Sequence, residues 1–199
     1  MMQSKLSASD PKENFTRVSR AILDILVDIL RNDLRSFISP ANINNIVRGQ
    51  KKIDQNTIRD AARRNNYDGF DITLLYTILR NHCPINKPAR GWNSVPCPSD
   101  LSLEDDIERI RNMRNDIGHC PKAEMSDMTF NKVWTEMEGI CQRADARRPG
   151  NSYFQKLSNL KTTSLDRNAM TRIQQLEKEV NDPLESGYYL SLLFTITIA

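Results

Sequence analysis

The stretch IERIRNMRNDIGHC, residues 107–120, decides how the rest of the chain is read. Ile107, Ile110 and Met113 recur at three-residue steps, with Leu103 one turn before them, so one face of a helix points at a core. Ser102 is placed to cap that helix, and Asp105 three residues on makes an imperfect capping box. The apolar pattern stops near Asn115. Gly118 is then expected to take the left-handed conformation that ends helices. Such a break bends the chain back, so that Arg114 in the last turn and His119 beyond it point at one spot. Asn115 and Asp116 are placed to bond loop backbone or to orient the imidazole.

Working outward, the other segments are helical too. From residue 14 to residue 38, Phe15, Val18, Ile22, Ile25, Leu26, Ile29 and Leu30 recur at helical steps, and Leu34 and Phe37 continue the stripe. Ser39-Pro40 is a helix-start signal for a short piece ending at Gly49, with Ile43, Ile46 and Val47 inside. DQNTIRDAARRNN is another short helix, closed by Asn65-Asn66 and Gly69. Asp71 caps a fourth, whose core face is Ile72, Leu74, Leu75, Ile78 and Leu79. Residues 83–100, CPINKPARGWNSVPCPSD, carry four prolines and form a long loop. Trp92 in that loop has two readings, a ring on which a base stacks or, the commoner role, an anchor that packs over the helices and pins the loop. Ser126 or Asp127 opens the last core helix, with Phe130, Val133, Trp134, Met137, Ile140 and Cys141 inside and a stop near Arg147-Arg148-Pro149-Gly150. No strand pattern appears before residue 148, so the fold class is all-α. It is a helical bundle with a long Pro-rich loop before the 103–118 helix and a further helix at the carboxyl end.

The domain boundaries follow. Residues 1–13 read as a flexible amino terminus, 14–148 as the helical domain and 151–165 as a linker. Residues 166–199 read as a C-terminal helix and apolar tail. Met170, Ile173, Leu176 and Val180 form a narrow seam that needs a protein partner, and two heptads are too few for a coiled coil. The last ten residues, LSLLFTITIA, are half the length needed to cross a bilayer, so no membrane role is expected.

Across 199 residues, 28 basic side chains face 25 acidic ones, for a net charge of +3. That weakly favours anionic partners, since a nucleic-acid binder is marked by a concentrated basic face. The amino terminus has no apolar run of the secretory kind. Cys83, Cys97, Cys120 and Cys141 match no small disulfide framework and no zinc spacing. They read as reduced thiols of a cytoplasmic protein, with no metal and no cofactor.

An arginine and a histidine converging at a helix end suit one chemistry. RNA is cut without metal when its own 2′-hydroxyl is activated against the neighbouring phosphate. Histidine exchanges protons near neutral pH, and arginine offers a planar fork of donors to the phosphoryl oxygens. Cyclisation needs both a base and an acid, and a two-fold homodimer would supply a second pair. By itself an Arg-x4-His spacing is weak, because a basic last turn followed by Gly is an ordinary helix terminus.

Context raises it. Arg114-Asn115-Asp116-Ile117-Gly118-His119 resembles the Arg-x(4–6)-His motif of HEPN domains. FDITLLYTILRNHCP, GWNSVPCPSD, LEDDIERIRNMRNDIGH and TFNKVW, in that order, resemble the DZIP3/hRUL138-like HEPN subfamily over roughly residues 14–145. The resemblance implies an all-α fold and a metal-independent endoribonuclease built at a dimer interface. It further implies Arg114 as phosphate-stabilising, His119 as acid/base, and Asn115 as a support for their geometry. The gap between Arg114 and His119 is at the short end of the family's range. Several HEPN subfamilies are non-catalytic, which implies the alternative of an RNA-binding or scaffolding dimerisation module in an innate-immune or ubiquitin-linked system. No RING-type cysteine–histidine set is present, so ligase activity is not carried over.

Arg48, Lys51, Lys52, Arg59, Arg63 and Arg64 form a basic stretch broken by Asp54 and Asp60. A track along the backbone of single-stranded RNA is one reading of it. A solvated helical face is the commoner meaning of mixed charge.

Overall fold

The computed structural model of the chain describes residues 9–46 and 52–163. Among these residues every element is helical: α1 (Pro11–Arg20), a π-helical turn (Ala21–Leu26), α2 (Val27–Phe37), a 3-10 segment (Pro40–Ile46), α3 (Lys52–Arg64), α4 (Ile72–His82), α5 (Leu103–Gly118), α6 (Asp127–Arg147) and α7 (Tyr153–Thr162).

α1, the π turn and α2 run on with helical backbone angles at both joins, giving the one long helix expected from the apolar stripe. It starts three residues early, because Asp10 accepts a hydrogen bond from the Lys12 amide at 3.0 Å and Pro11 opens the first turn. The stripe from Phe15 to Leu34 is buried, but Phe37 lies at the surface, where Ile38 turns the chain into extended backbone. This rod is the axis of the bundle. α5 and α6 pack on α1, α4 packs on α2, and α5 and α7 both pack on the π turn. Asp71 caps α4 by accepting from the Leu74 amide at 2.7 Å. Ser126 caps α6, which buries Phe130, Trp134, Met137, Ile140 and Cys141 and leaves Val133 half-buried.

The expected linker at 151–165 is instead where α7 forms. Tyr153, Leu157 and Leu160 are buried against the core. Its ends are held from a distance. The Tyr153 and Phe154 amides donate to the Asp145 carboxylate of α6 at 2.8 and 2.9 Å, and Arg17 of α1 donates to the carbonyls of Leu160 and Thr163 at 2.6 and 2.8 Å. The seam at 166–180 and the apolar tail lie outside the described residues.

Candidate functional site

α5 begins with a full capping box: Ser102 Oγ accepts from the Asp105 amide, and the Asp105 carboxylate accepts from the Ser102 amide. The charged residues that follow are not solvated. Glu104, Asp105, Asp106, Glu108 and Arg109 are all buried. Three of them bind the Pro-rich loop through its backbone. The Asn86 amide donates to Glu104 at 3.0 Å, the Ala89 amide to Asp105 at 2.8 Å, and the Asn93 amide to Glu108 at 2.8 Å. Arg109 returns a bond to the Cys97 carbonyl at 2.5 Å. Burial pushes the Asp105 carboxyl up, but the bonds from Ser102 and the Ala89 amide outweigh it and hold the group below the usual carboxylate range.

Asp106 faces the other way. It accepts from Arg143 at 2.6 Å and from Arg147 at 3.2 Å, while Arg148 pairs with buried Asp33 of α2. Burial raises the Asp33 carboxyl, and Arg148 and Arg147 act against that rise. The basic end of α6 is therefore the lock between α5, α6 and α2.

The carboxyl end of α5 corrects the expected geometry. Gly118 is the last helical residue and does not take a positive φ, so the helix runs unbroken past Asn115. His119 is the C-cap, with φ −100° and ψ 7°, and its amide donates to the Asn115 carbonyl at 2.9 Å. A five-residue step on a continuous helix turns two side chains about 140° apart. Arg114 and His119 therefore do not meet through a bend at Gly118 within one chain. Arg114 is half-buried, two turns on from Ile107, and donates to Asn115 Oδ1 at 3.4 Å. His119 is exposed. Asp116 stands one turn before it. Partial burial raises the Asp116 carboxyl, and His119 pulls it back down. Asp116 also lines a groove of about 520 Å³ between α5 and α6, walled by Met113, Ile117 and Val133, with exposed Val95 on its rim. The Asn112 amide nitrogen, in that groove, is buried without a hydrogen-bond partner.

The basic stretch divides. Arg48 and Lys51 lie outside the described residues, and Lys52 is the first residue of α3. Arg59, Arg63 and Arg64 are exposed; Arg63 and Arg64 pair with Asp60 at 3.0 and 2.9 Å, and Arg59 leans on Gln55 at 3.2 Å. Two arginines thus share one carboxylate and the third bonds to a neutral amide, so the face keeps a net positive charge. Among the described residues, no group of three His, Cys, Asp or Glu is placed to hold a metal, and no helix is long and apolar enough to cross a membrane. Cys83 and Cys141 are free thiols that burial pushes up to about 11 and about 12.

The local pattern did not mark a cluster at the α4–α5 face. Tyr76, Arg80, Trp92 and Arg111 gather over buried Glu108. Trp92 is half-buried and meets Tyr76 edge-on at 5.7 Å, as expected of a loop anchor.

A model of the DZIP3/hRUL138-like HEPN family matches residues 49–173, more than half of the chain. The chain belongs to the HEPN family of this type. The E3 ubiquitin-protein ligase DZIP3 of Mus musculus and that of Homo sapiens are each 28% identical to it over 75 residues. That alignment covers 37% of this chain and 6% of either ligase, so the chain spans only a small part of their length. No solved structure matches. The HEPN match takes in α3 to α7 and the Arg114–His119 frame, whereas the α1–α2 rod lies ahead of it although it fills the same core.

Proposed function

We propose that this HEPN domain is directed at RNA and cuts it without a metal, as a homodimer. Its two α5 ends meet across a two-fold axis, so that the Arg114 and His119 side chains of both protomers serve one phosphodiester. The observation that carries the reading is the exposed His119 at the end of α5, inside the family match, with a half-buried arginine five residues before it. One imidazole takes the proton of the ribose 2′-hydroxyl as its oxygen attacks phosphorus. The other gives a proton to the departing 5′-oxygen, and the products are a 2′,3′-cyclic phosphate and a free 5′-hydroxyl. The guanidinium meets the charge that grows on the phosphoryl oxygens. Asn115 and Asp116 hold the two groups in place. Because one chain does not offer both groups to one side, this reading requires the dimer.

A second reading has its own support. The same divergence, together with the apolar groove beside Asp116, fits a non-catalytic module that dimerises or docks a partner in a ubiquitin-linked or innate-immune assembly. Incubation of the purified chain with RNA in excess chelator separates the two. A cyclic-phosphate end made by wild type and lost in His119→Ala and Arg114→Gln supports cutting. RNA that stays intact with the dimer present leaves the module.

A further inference from the structure

Glu108 organises the α4–α5 face. Its Oε1 accepts from the Tyr76 hydroxyl at 2.5 Å and from the Asn93 amide at 2.8 Å. Its second oxygen lies 3.7 Å from Arg111 Nη1, beyond hydrogen-bond reach, and has no hydrogen-bond partner. One carboxylate, already spent on two neutral donors, thus sits beneath two arginines. The Arg111 guanidinium lies 4.9 Å over the Tyr76 ring, and Arg80 lies 6.0 Å from that ring and 5.7 Å from the Trp92 ring. The polar contacts of Arg80 are long, 3.5 Å to the Tyr76 hydroxyl and 3.4 Å to Asn93 Oδ1. Neither guanidinium comes near to filling its five donors.

A structural anchor alone explains part of this. Trp92 against Tyr76 pins the loop, and one cation over the pair would suffice. Two cations there repel each other, and their donors remain open around a half-buried indole. That combination is what single-stranded nucleic acid needs: a ring on which a base stacks, flanked by charges that neutralise its phosphates.

We infer that the α4–α5 face is a binding site for single-stranded RNA, with a base on Trp92 and its flanking phosphates on Arg80 and Arg111. This rests on the RNA-directed reading above and deepens it. Arg111 and Arg114 are one turn apart on α5, about 4.5 Å along its axis. A strand held on Trp92 and Arg111 is thereby led along the helix toward Arg114. Duplex RNA is excluded, since its bases are stacked within the helix and leave no free face for the indole.

The test uses the full chain and a short 2′-O-methyl oligouridine, which lacks the attacking hydroxyl, so binding is read without cutting. Trp134 is fully buried and Trp92 is not, so ligand quenching of tryptophan emission reports on Trp92. Wild type is expected to bind with quenching that vanishes in Trp92→Phe, a variant that keeps a ring against Tyr76. Trp92→Ala should bind about tenfold more weakly, the usual value of one stacked base. Arg80→Gln and Arg111→Gln should each lower the slope of log affinity against log salt by about 0.7. Unchanged melting temperatures for Trp92→Phe and Arg80→Gln show that the fold is intact. Binding without quenching, or variants that bind like wild type, overturn the site, as does the absence of any RNA binding. Platform-dependent binding by a chain that never cuts ordinary RNA supports the site and removes only the nuclease.

Discussion

The two halves of α5 are held in opposite ways. From Ser102 to Arg109 the helix is rich in charge, yet every charged side chain from Glu104 on is buried and bonded to a loop amide, a carbonyl or an arginine. From Arg114 to His119 it carries the pair proposed to act on RNA, and its side chains are half-buried or exposed. The difference teaches where this fold keeps its rigidity. A buried carboxylate is costly to desolvate and is kept only where several donors converge on it, so the front half is over-determined. The back half is aimed by that front half and left open, as suits groups that must meet something outside the chain.

The largest test of this contrast is Asp106→Ala. It leaves Arg109, Arg143 and Arg147 facing one another around a vacated buried position, and should lower unfolding free energy by about 3 kcal/mol in urea titration. His119→Ala in the same assay should change it by less than about 0.5 kcal/mol. Equal losses at the two ends would break the comparison.

Glu108→Gln comes next. The amide oxygen can still accept from Asn93 and Tyr76, but the charge over which Arg80 and Arg111 sit is gone, with an expected loss of about 1–2 kcal/mol. Hydrogen exchange should speed most at the Asn93 amide and little at the Ala89 amide, because Asp105 holds the latter independently.

The acid limb sharpens the contrast further. The folded-state pKa of Asp105 is depressed, so the stability it contributes is fully present above the ordinary carboxylate range near pH 4 and is lost as pH falls through the folded value. Asp105→Asn should therefore be less stable than wild type at pH 7 and converge on it as pH falls through the folded value, read by urea midpoints at each pH. Asp116 at the other end is shifted upward and gives a term of opposite sign.

How much of this was legible follows from where each partner lies. The caps of α4, α5 and α6 are written within three residues of the helix they start, and all were readable. The caps of α7 come from Asp145 and Arg17, elsewhere in the chain or in the fold, so its span read as a linker. The buried acids of α5 were hidden for the same reason: their donors are backbone amides of a Pro-rich loop and arginines on α6 more than thirty residues on. At the candidate site, the residue types were legible but the bend was not. Gly permits a left-handed turn without requiring one, and here the hydrogen bond from the His119 amide to the Asn115 carbonyl carries the helix through Gly118.

That point has the smallest expected effect, and it bears directly on the motif. A glycine in helical backbone gives up conformational entropy that alanine does not, so Gly118→Ala should leave stability unchanged or raise it by up to about 1 kcal/mol. A glycine held at positive φ would instead lose about 1–2 kcal/mol on gaining a Cβ. A clear loss in thermal denaturation, with the fold otherwise intact, would restore the bent terminus and with it an Arg114–His119 pair inside one chain. A neutral or stabilising result leaves the two side chains on separate faces of one helix. Any shared phosphate must then be reached across a dimer, and cutting should fall with the square of protein concentration below the dimer's dissociation constant.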